Sequence, residues 1–306
     1  MITRRHLTSA SVALAIASLG SGARADAPDL LGLAGDDERA VVHERLRLGV
    51  ATAPFEARSL AEAKGHALSF VTEGWLRLTD RGWIGLRIPV VAGSVAQPAG
   101  SFIDEAAWGN PELRAATRMV LAERDDSSLR LTLGGGIGVP AAEHASTLLP
   151  NRALAIANAL EGLSEPELFR PGRLPLTPYG EIDWVSGRLR VLGVVKLPVL
   201  VRVSEADLPK NDPGSRAVGV AAVLQLEGRF AITRTFAVAL SPLLFVDAVP
   251  PARSVGNPPR AQLSLVAGAF WQVARWGIVG IDVRAPVGGA LGGSTVSGGL
   301  RFSIGF

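Results

Sequence analysis

The side chains that do most chemistry at neutral pH are scarce. The chain has four histidines and no cysteine. His6 lies in a basic, apolar leader, and His43, His66 and His144 are scattered. They form no His/Cys cluster of the kind that holds a metal, so no metal and no cofactor is expected. One nucleophile and base can be tried together: His66 precedes Ser69 by three residues, and membrane-embedded hydrolases use Ser–His pairs. On a strand, positions three apart point to opposite faces. The pair therefore cannot meet, and no catalytic residue is assigned. His144, beside Glu143 and Ser146, reads as solvated. Glu181 and Asp183 are paired carboxylates, but a tight Ser186-Gly187 turn sets Asp183 opposite Arg190. That favours a salt ladder over acid–base work. The glycine run Leu133–Gly138 opens no helix, so it is not a phosphate loop. On a strand, its glycines leave room for neighbouring side chains or a folded loop. Basic-aromatic interleaving is absent, and no nucleic-acid partner is expected.

What remains is arginine at alternate positions. Arg45, Arg47, Arg77, Arg87, Arg114, Arg118, Arg130, Arg188, Arg190, Lys196, Arg202, Arg229, Arg284 and Arg301 interleave with Leu, Val and Ile. Acids of the same parity are fewer: Glu73, Glu112, Glu181, Asp183, Glu227 and Asp282. A water-filled passage with this lining concentrates anions. Arg87, Arg118, Arg130, Lys196, Arg202 and Arg284 are the candidate solute contacts. The competing reading is a set of wall ion pairs bracing a barrel partly filled by its own side chains, with rim arginines on lipid headgroups.

The elements that must carry this pattern have period two. Of 306 residues, 48% are hydrophobic and 19% charged, with mean hydropathy +0.28. Yet the longest apolar run after the leader, Leu192–Val201, is broken by Lys196 and Pro198. Alternation predicts about twelve strands of the length that crosses a bilayer at a tilt: 44–53, 66–78, 83–92, 112–123, 128–139, 174–185, 188–203, 217–230, 235–247, 260–272, 276–287 and 295–306. The connections alternate between short turns (79–82, 124–128, 186–187, 232–234, 274–275) and longer loops (54–65, 93–111, 140–173, 204–216, 248–259, 288–294). This sorting predicts an all-β transmembrane antiparallel up-and-down barrel with short periplasmic turns and long extracellular loops. Three hairpin registers are expected: Trp184 facing Leu189, Leu76 facing Leu86, and Phe230 facing Phe236. Within the longest loop, Leu149–Leu163 reads as a short helix that constricts the lumen or caps the outside.

Residues 1–25 have a basic start, a short apolar stretch and an Ala23-Arg24-Ala25 site, and read as a cleavable signal peptide. Residues 26–43 form a periplasmic lead-in, and 44–306 the barrel. Aromatics beside the short turns (Trp83, Trp184, Trp271, Trp276, Phe230, Phe236, Phe306) read as an interfacial belt facing outer-membrane lipid.

The chain ends GGLRFSIGF, with Leu300, Phe302, Ile304 and Phe306 on alternate positions. This resembles the C-terminal assembly signal of Gram-negative outer-membrane proteins, which implies recognition by the barrel-assembly machinery. Trp108-Gly109-Asn110-Pro111-Glu112-Leu113, with the glycine-lined strand ending Gly138-Val139-Pro140, resembles a family of outer-membrane transporters associated with the meta-pathway of phenol degradation. The resemblance covers Trp108–Pro140 and names no substrate. The expected function is a channel or transporter for small polar, anionic solutes. The alternatives are a structural or surface-binding barrel without a pore, or a membrane-embedded lipid hydrolase.

Overall fold

A computed structural model describes residues 40–54, 62–96, 102–142, 152–170, 172–203, 217–249, 261–274, 276–289 and 295–305. The leader, most of the lead-in, His144 and Phe306 lie outside these. The described residues build a closed antiparallel barrel of twelve staves, each paired to its neighbours in sequence. The strands are β1 (Ala40–Pro54), β2 (Glu62–Arg77), β3 (Gly82–Ala96), β4 (Phe102–Trp108), β5 (Glu112–Arg124), β6 (Ser127–Gly138) and β7 (Arg173–Ser186). They continue with β8 (Leu189–Lys196), β9 (Val199–Arg202), β10 (Val218–Ala231), β11 (Phe236–Val249), β12 (Ala261–Ala274), β13 (Gly277–Gly289) and β14 (Val296–Gly305).

Two staves are broken. β4 and β5 both pair with β3, and β8 and β9 both pair with β7 and β10. The breaks fall at Gly109-Asn110-Pro111 and Leu197-Pro198, where proline offers no N–H to the ladder. The predicted 93–111 loop is therefore largely sheet: β3 runs on to Ala96 and pairs with β4. β1 begins at Ala40, ahead of the expected Glu44. β14 returns to β1, with Leu300 opposite Leu46. This closure removes the sheet edge, as a spanning sheet requires.

The burial is inside-out. Leu226 is 52% exposed and Leu240 equally so, whereas Arg47 is 0% and Arg87 3% exposed. An apolar outer band over a charged interior suits a barrel whose surroundings are lipid.

The three expected registers are each shifted by two residues: Trp184 faces Val191, Leu76 faces Ile84 and Phe230 faces Val238. The turn tips sit one residue away from their expected centres. A shift of two keeps every side chain on its face. Asp183 and Arg190, no longer directly opposite, still meet diagonally at 2.7 Å. One belt residue is corrected. Trp83 has the parity of Arg87, lines the lumen and lies beneath the Arg118 guanidinium. Trp184, Trp271, Trp276 and Phe230 are exposed on the outer face, as are Leu300 and Phe302.

Candidate functional site

The lumen is occupied by part of the longest loop. Helix α1 (Arg152–Leu160) is followed by a reversal at Gly162 and Leu163, both with φ near +60°, and by the short helix α2 (Pro166–Phe169). Ala153, Leu154, Ile156, Ala157, Ala159 and Leu160 are all fully buried. A helix with so little polar surface must be surrounded, and here the barrel surrounds it. With Leu168 and Phe169 it shares one apolar core with Ala67, Val71, Val91, Val95 and Ala107 on β2–β4, and with Ala221, Val223 and Phe245 on β10 and β11. Those walls face each other across the barrel, so the insert spans the lumen.

The break at Gly109-Asn110-Pro111 anchors this insert. Asn110 donates from Nδ2 to the Glu167 carbonyl at 3.1 Å and to that of Arg170 at 2.7 Å. Its backbone N–H donates to the Leu168 carbonyl at 2.7 Å, and its Oδ1 accepts from the Ala142 N–H at 2.9 Å. The glycines of β6 also make room as expected. A Cβ on Gly136 would lie 2.1 Å from the Glu112 carboxylate, and one on Gly134 would lie 2.4 Å from the Tyr179 ring.

Three carboxylates of the insert meet the basic wall. Glu161 lies 3.2 Å from Arg47, 3.3 Å from Arg284 and 3.4 Å from Arg45. Glu165 pairs with Arg45, and with Arg87 at 2.6 Å. Glu167 pairs with Lys196 at 2.9 Å and Arg87 at 3.4 Å. Burial alone would raise the Glu165 carboxyl, but Arg45, Arg87 and Lys196 hold it well below the usual carboxylate range. Glu161 is likewise lowered: burial opposes ionisation, and Arg45, Arg47 and Arg284 outweigh it. Buried charges persist only when paired in this way.

On the short-turn side of the insert lies a cavity of about 320 Å³. Arg114, Arg118, Lys196, Arg229 and Arg301 line it, together with Glu73, Glu181 and Glu227, and Glu165 borders it from the insert. Several of its guanidinium groups stack on rings. Arg114 lies 4.3 Å from the Tyr179 centroid and 5.1 Å from that of Trp75, and Arg229 lies 4.0 Å from that of Phe270. Stacking holds each cation over an apolar plate. The arrangement can receive a small charged solute from the short-turn side.

The predicted lumen residues separate into groups. Arg87 sits at the centre with Glu73, Glu112, Glu165 and Glu167. Lys196 and Arg118 line the cavity. Arg284 is packed against the insert at Glu161 and Ser164. Arg130 lies opposite Asp183 near the short turns, and Arg202 opposite Arg173 at the long-loop end. They do not form one cluster. His66 is on the outer face and Ser69 is buried inside. Sequence reasoning missed Asn110 as an anchor and Glu161, Glu165 and Glu167 as counter-charges. The available signal was the acidic run from Glu161 to Glu167 beside an apolar helix in a barrel with a basic interior.

Neither a protein-family model nor a curated protein sequence matches the chain. Solved structures do match in fold. The COG4313 outer membrane channel from Pseudomonas putida F1 is 12% identical, with a TM-score of 0.63 over 94% of this chain and 100% of that one. The NanC porin is 8% identical, with a TM-score of 0.47 over 85% and 98% of the two chains. The KdgM porin in complex with disordered oligogalacturonate is 5% identical, with a TM-score of 0.44 over 87% and 99%. At these identities the likeness is one of fold.

Proposed function

We propose that this chain is an outer-membrane channel for small polar, anionic solutes, held shut at rest by residues 152–170. The observation that carries the reading is the arginine-lined cavity below the insert. Arg114, Arg118, Arg229 and Arg301 present cations to a cavity of about 320 Å³ in a low-dielectric wall, where they attract anions more strongly than in bulk water. The leader, the aromatics beside the short turns and the alternate apolar residues up to Phe306 support export, cleavage after Ala25 and assembly into the outer membrane. The Trp108–Leu113 resemblance supports transport and assigns no solute.

The test is conductance in planar bilayers. Wild-type protein should give small, infrequent, anion-preferring openings, and removal of residues 152–170 should give a larger steady conductance. Arg118→Gln should lower the chloride-to-potassium permeability ratio. A second reading, a structural barrel without a pore, is favoured by the full burial of Ala153, Leu154, Ile156, Ala157, Ala159 and Leu160 on α1. It predicts no conductance even after the insert is removed, and that result would overturn the channel.

A further inference from the structure

The closing seam of the barrel brings together side chains that the channel reading does not use. His43 on β1 lies directly opposite Ser303 on β14 and, on its other side, Glu73 on β2. His43 Nδ1 and Ser303 Oγ are 2.9 Å apart. Ser303, His43 and Glu73 all line the cavity. Three neighbouring staves thus present serine, histidine and carboxylate in one row on the cavity wall. From the geometry we propose that Ser303 and His43 form an acyl-transfer site that hydrolyses small carboxylic esters entering from the short-turn side.

The row favours the reactive tautomer. With the proton on Nε2, Nδ1 accepts from the Ser303 hydroxyl. A hydroxyl becomes a nucleophile when such a base takes its proton. The Glu73 carboxylate is fixed by Trp75 Nε1 at 2.6 Å and Arg114 at 2.9 Å. It is the positioning residue, and its charge favours the imidazolium that forms in the transition state. Arg301, two positions along the same strand face and also lining the cavity, places positive charge where an oxyanion develops. Beyond Ser303, its direct partner on β13 is the buried Ile278, which packs with Phe270. That apolar patch receives an acyl or aryl group.

The reaction balances without a co-reactant other than water. Ser303 Oγ bonds to the ester carbonyl carbon, and its proton passes to His43. The ester C–O bond breaks, and the alcohol leaves with that proton. Water then attacks the acyl-serine, gives its proton to His43, and releases the carboxylic acid as Oγ regains a proton. Ser69 and His66, the pair considered in the sequence, take no part.

The mature full chain, folded in detergent, would be incubated with p-nitrophenyl acetate and, separately, with a fluorophosphonate probe. The probe should label the peptide carrying Ser303. Ser303→Ala and His43→Gln should each lose about 100-fold in kcat/KM while keeping the circular dichroism of a folded barrel. Glu73→Gln should lower kcat and leave KM within twofold, a split that loose packing would not give. Absence of Ser303 labelling in the folded wild-type chain, or hydrolysis unchanged in folded Ser303→Ala, would overturn the proposal. Both readouts are independent of conductance, so they stand or fall apart from the channel.

Discussion

Glu161→Gln isolates the electrostatic part of the closed lumen. The glutamine keeps the size of the side chain and removes its charge from among Arg45, Arg47 and Arg284, which lie 3.2–3.4 Å away. Glu161 and Arg47 are both 0% exposed, so the arginines cannot recover hydration while the insert stays in place. Removing one partner of a buried pair costs about 3–5 kcal/mol. The strand ladder does not include Glu161, so that cost falls on the seated insert and not on the barrel. At about 1.4 kcal/mol per tenfold, the open population should rise by about 100-fold to about 4,000-fold. The assay is opening frequency in planar bilayers at fixed voltage and neutral pH. Glu227→Gln is the control: it removes a similar buried charge from the barrel wall, where Glu227 pairs with Arg229 of the same strand at 2.8 Å. An opening frequency within tenfold of wild type in Glu161→Gln, or an equal rise in Glu227→Gln, would refute the assignment of closure to the insert's carboxylates.

Acid should act on the same contacts with a defined sign. Glu165 and Glu161 are held below their ordinary values. Their stabilisation of the closed state is complete above the unfolded value of about 4.3, and is lost only as pH falls through the lowered folded values. Conductance titrated from pH 7 downward should stay at its resting level through pH 5 and rise below about pH 4; an onset above pH 5 would contradict the pairing. Asn110→Ala removes the two side-chain hydrogen bonds to the insert and the one from Ala142 after β6, a loss of about 2–3 kcal/mol. Amide exchange over residues 161–169 should speed by more than tenfold while the β1–β3 amides stay protected. Leu226→Arg, on the outer face, should destabilise the folded barrel by about 2–4 kcal/mol in bilayers, read from urea unfolding; a neutral result would mean that this face does not meet lipid.

The strands were legible because alternation is local and repeated. From Glu44 to Ile304, each stretch declares its two faces without help from its partners. The registers were less so. Which residue occupies a turn tip depends on dihedrals such as the φ of +54° at Gly187, and apolar pairing scores almost equally well two residues away. Trp83 was assigned by its nearness to a turn, which fixes its height along the barrel. Its parity, shared with Arg87, fixes its face and turned it inward. The helix in the long loop was foreseen with two destinations, inside the lumen or capping the outside, and the sequence alone did not choose between them. The insert is seated by carboxylates at 161, 165 and 167 matched to cations on β1, β3, β8 and β13, and such matches are invisible until the staves are in register. His43 and Ser303, 260 positions apart, become neighbours only when the last strand closes on the first.

On the channel reading proposed above, the insert's glutamates occupy the guanidinium sites that a passing anion would seek. The barrel therefore carries its own competitor on a tether. A tethered group acts at an effective concentration of the millimolar order, and this one is reinforced by the apolar seat of Leu154, Ile156 and Leu160. A solute that binds Arg45, Arg47 or Arg87 must first displace Glu161 or Glu165, so uptake and unlatching draw on the same contacts. On that channel reading, an anion that passes must take the place of two or three well-spaced carboxylates.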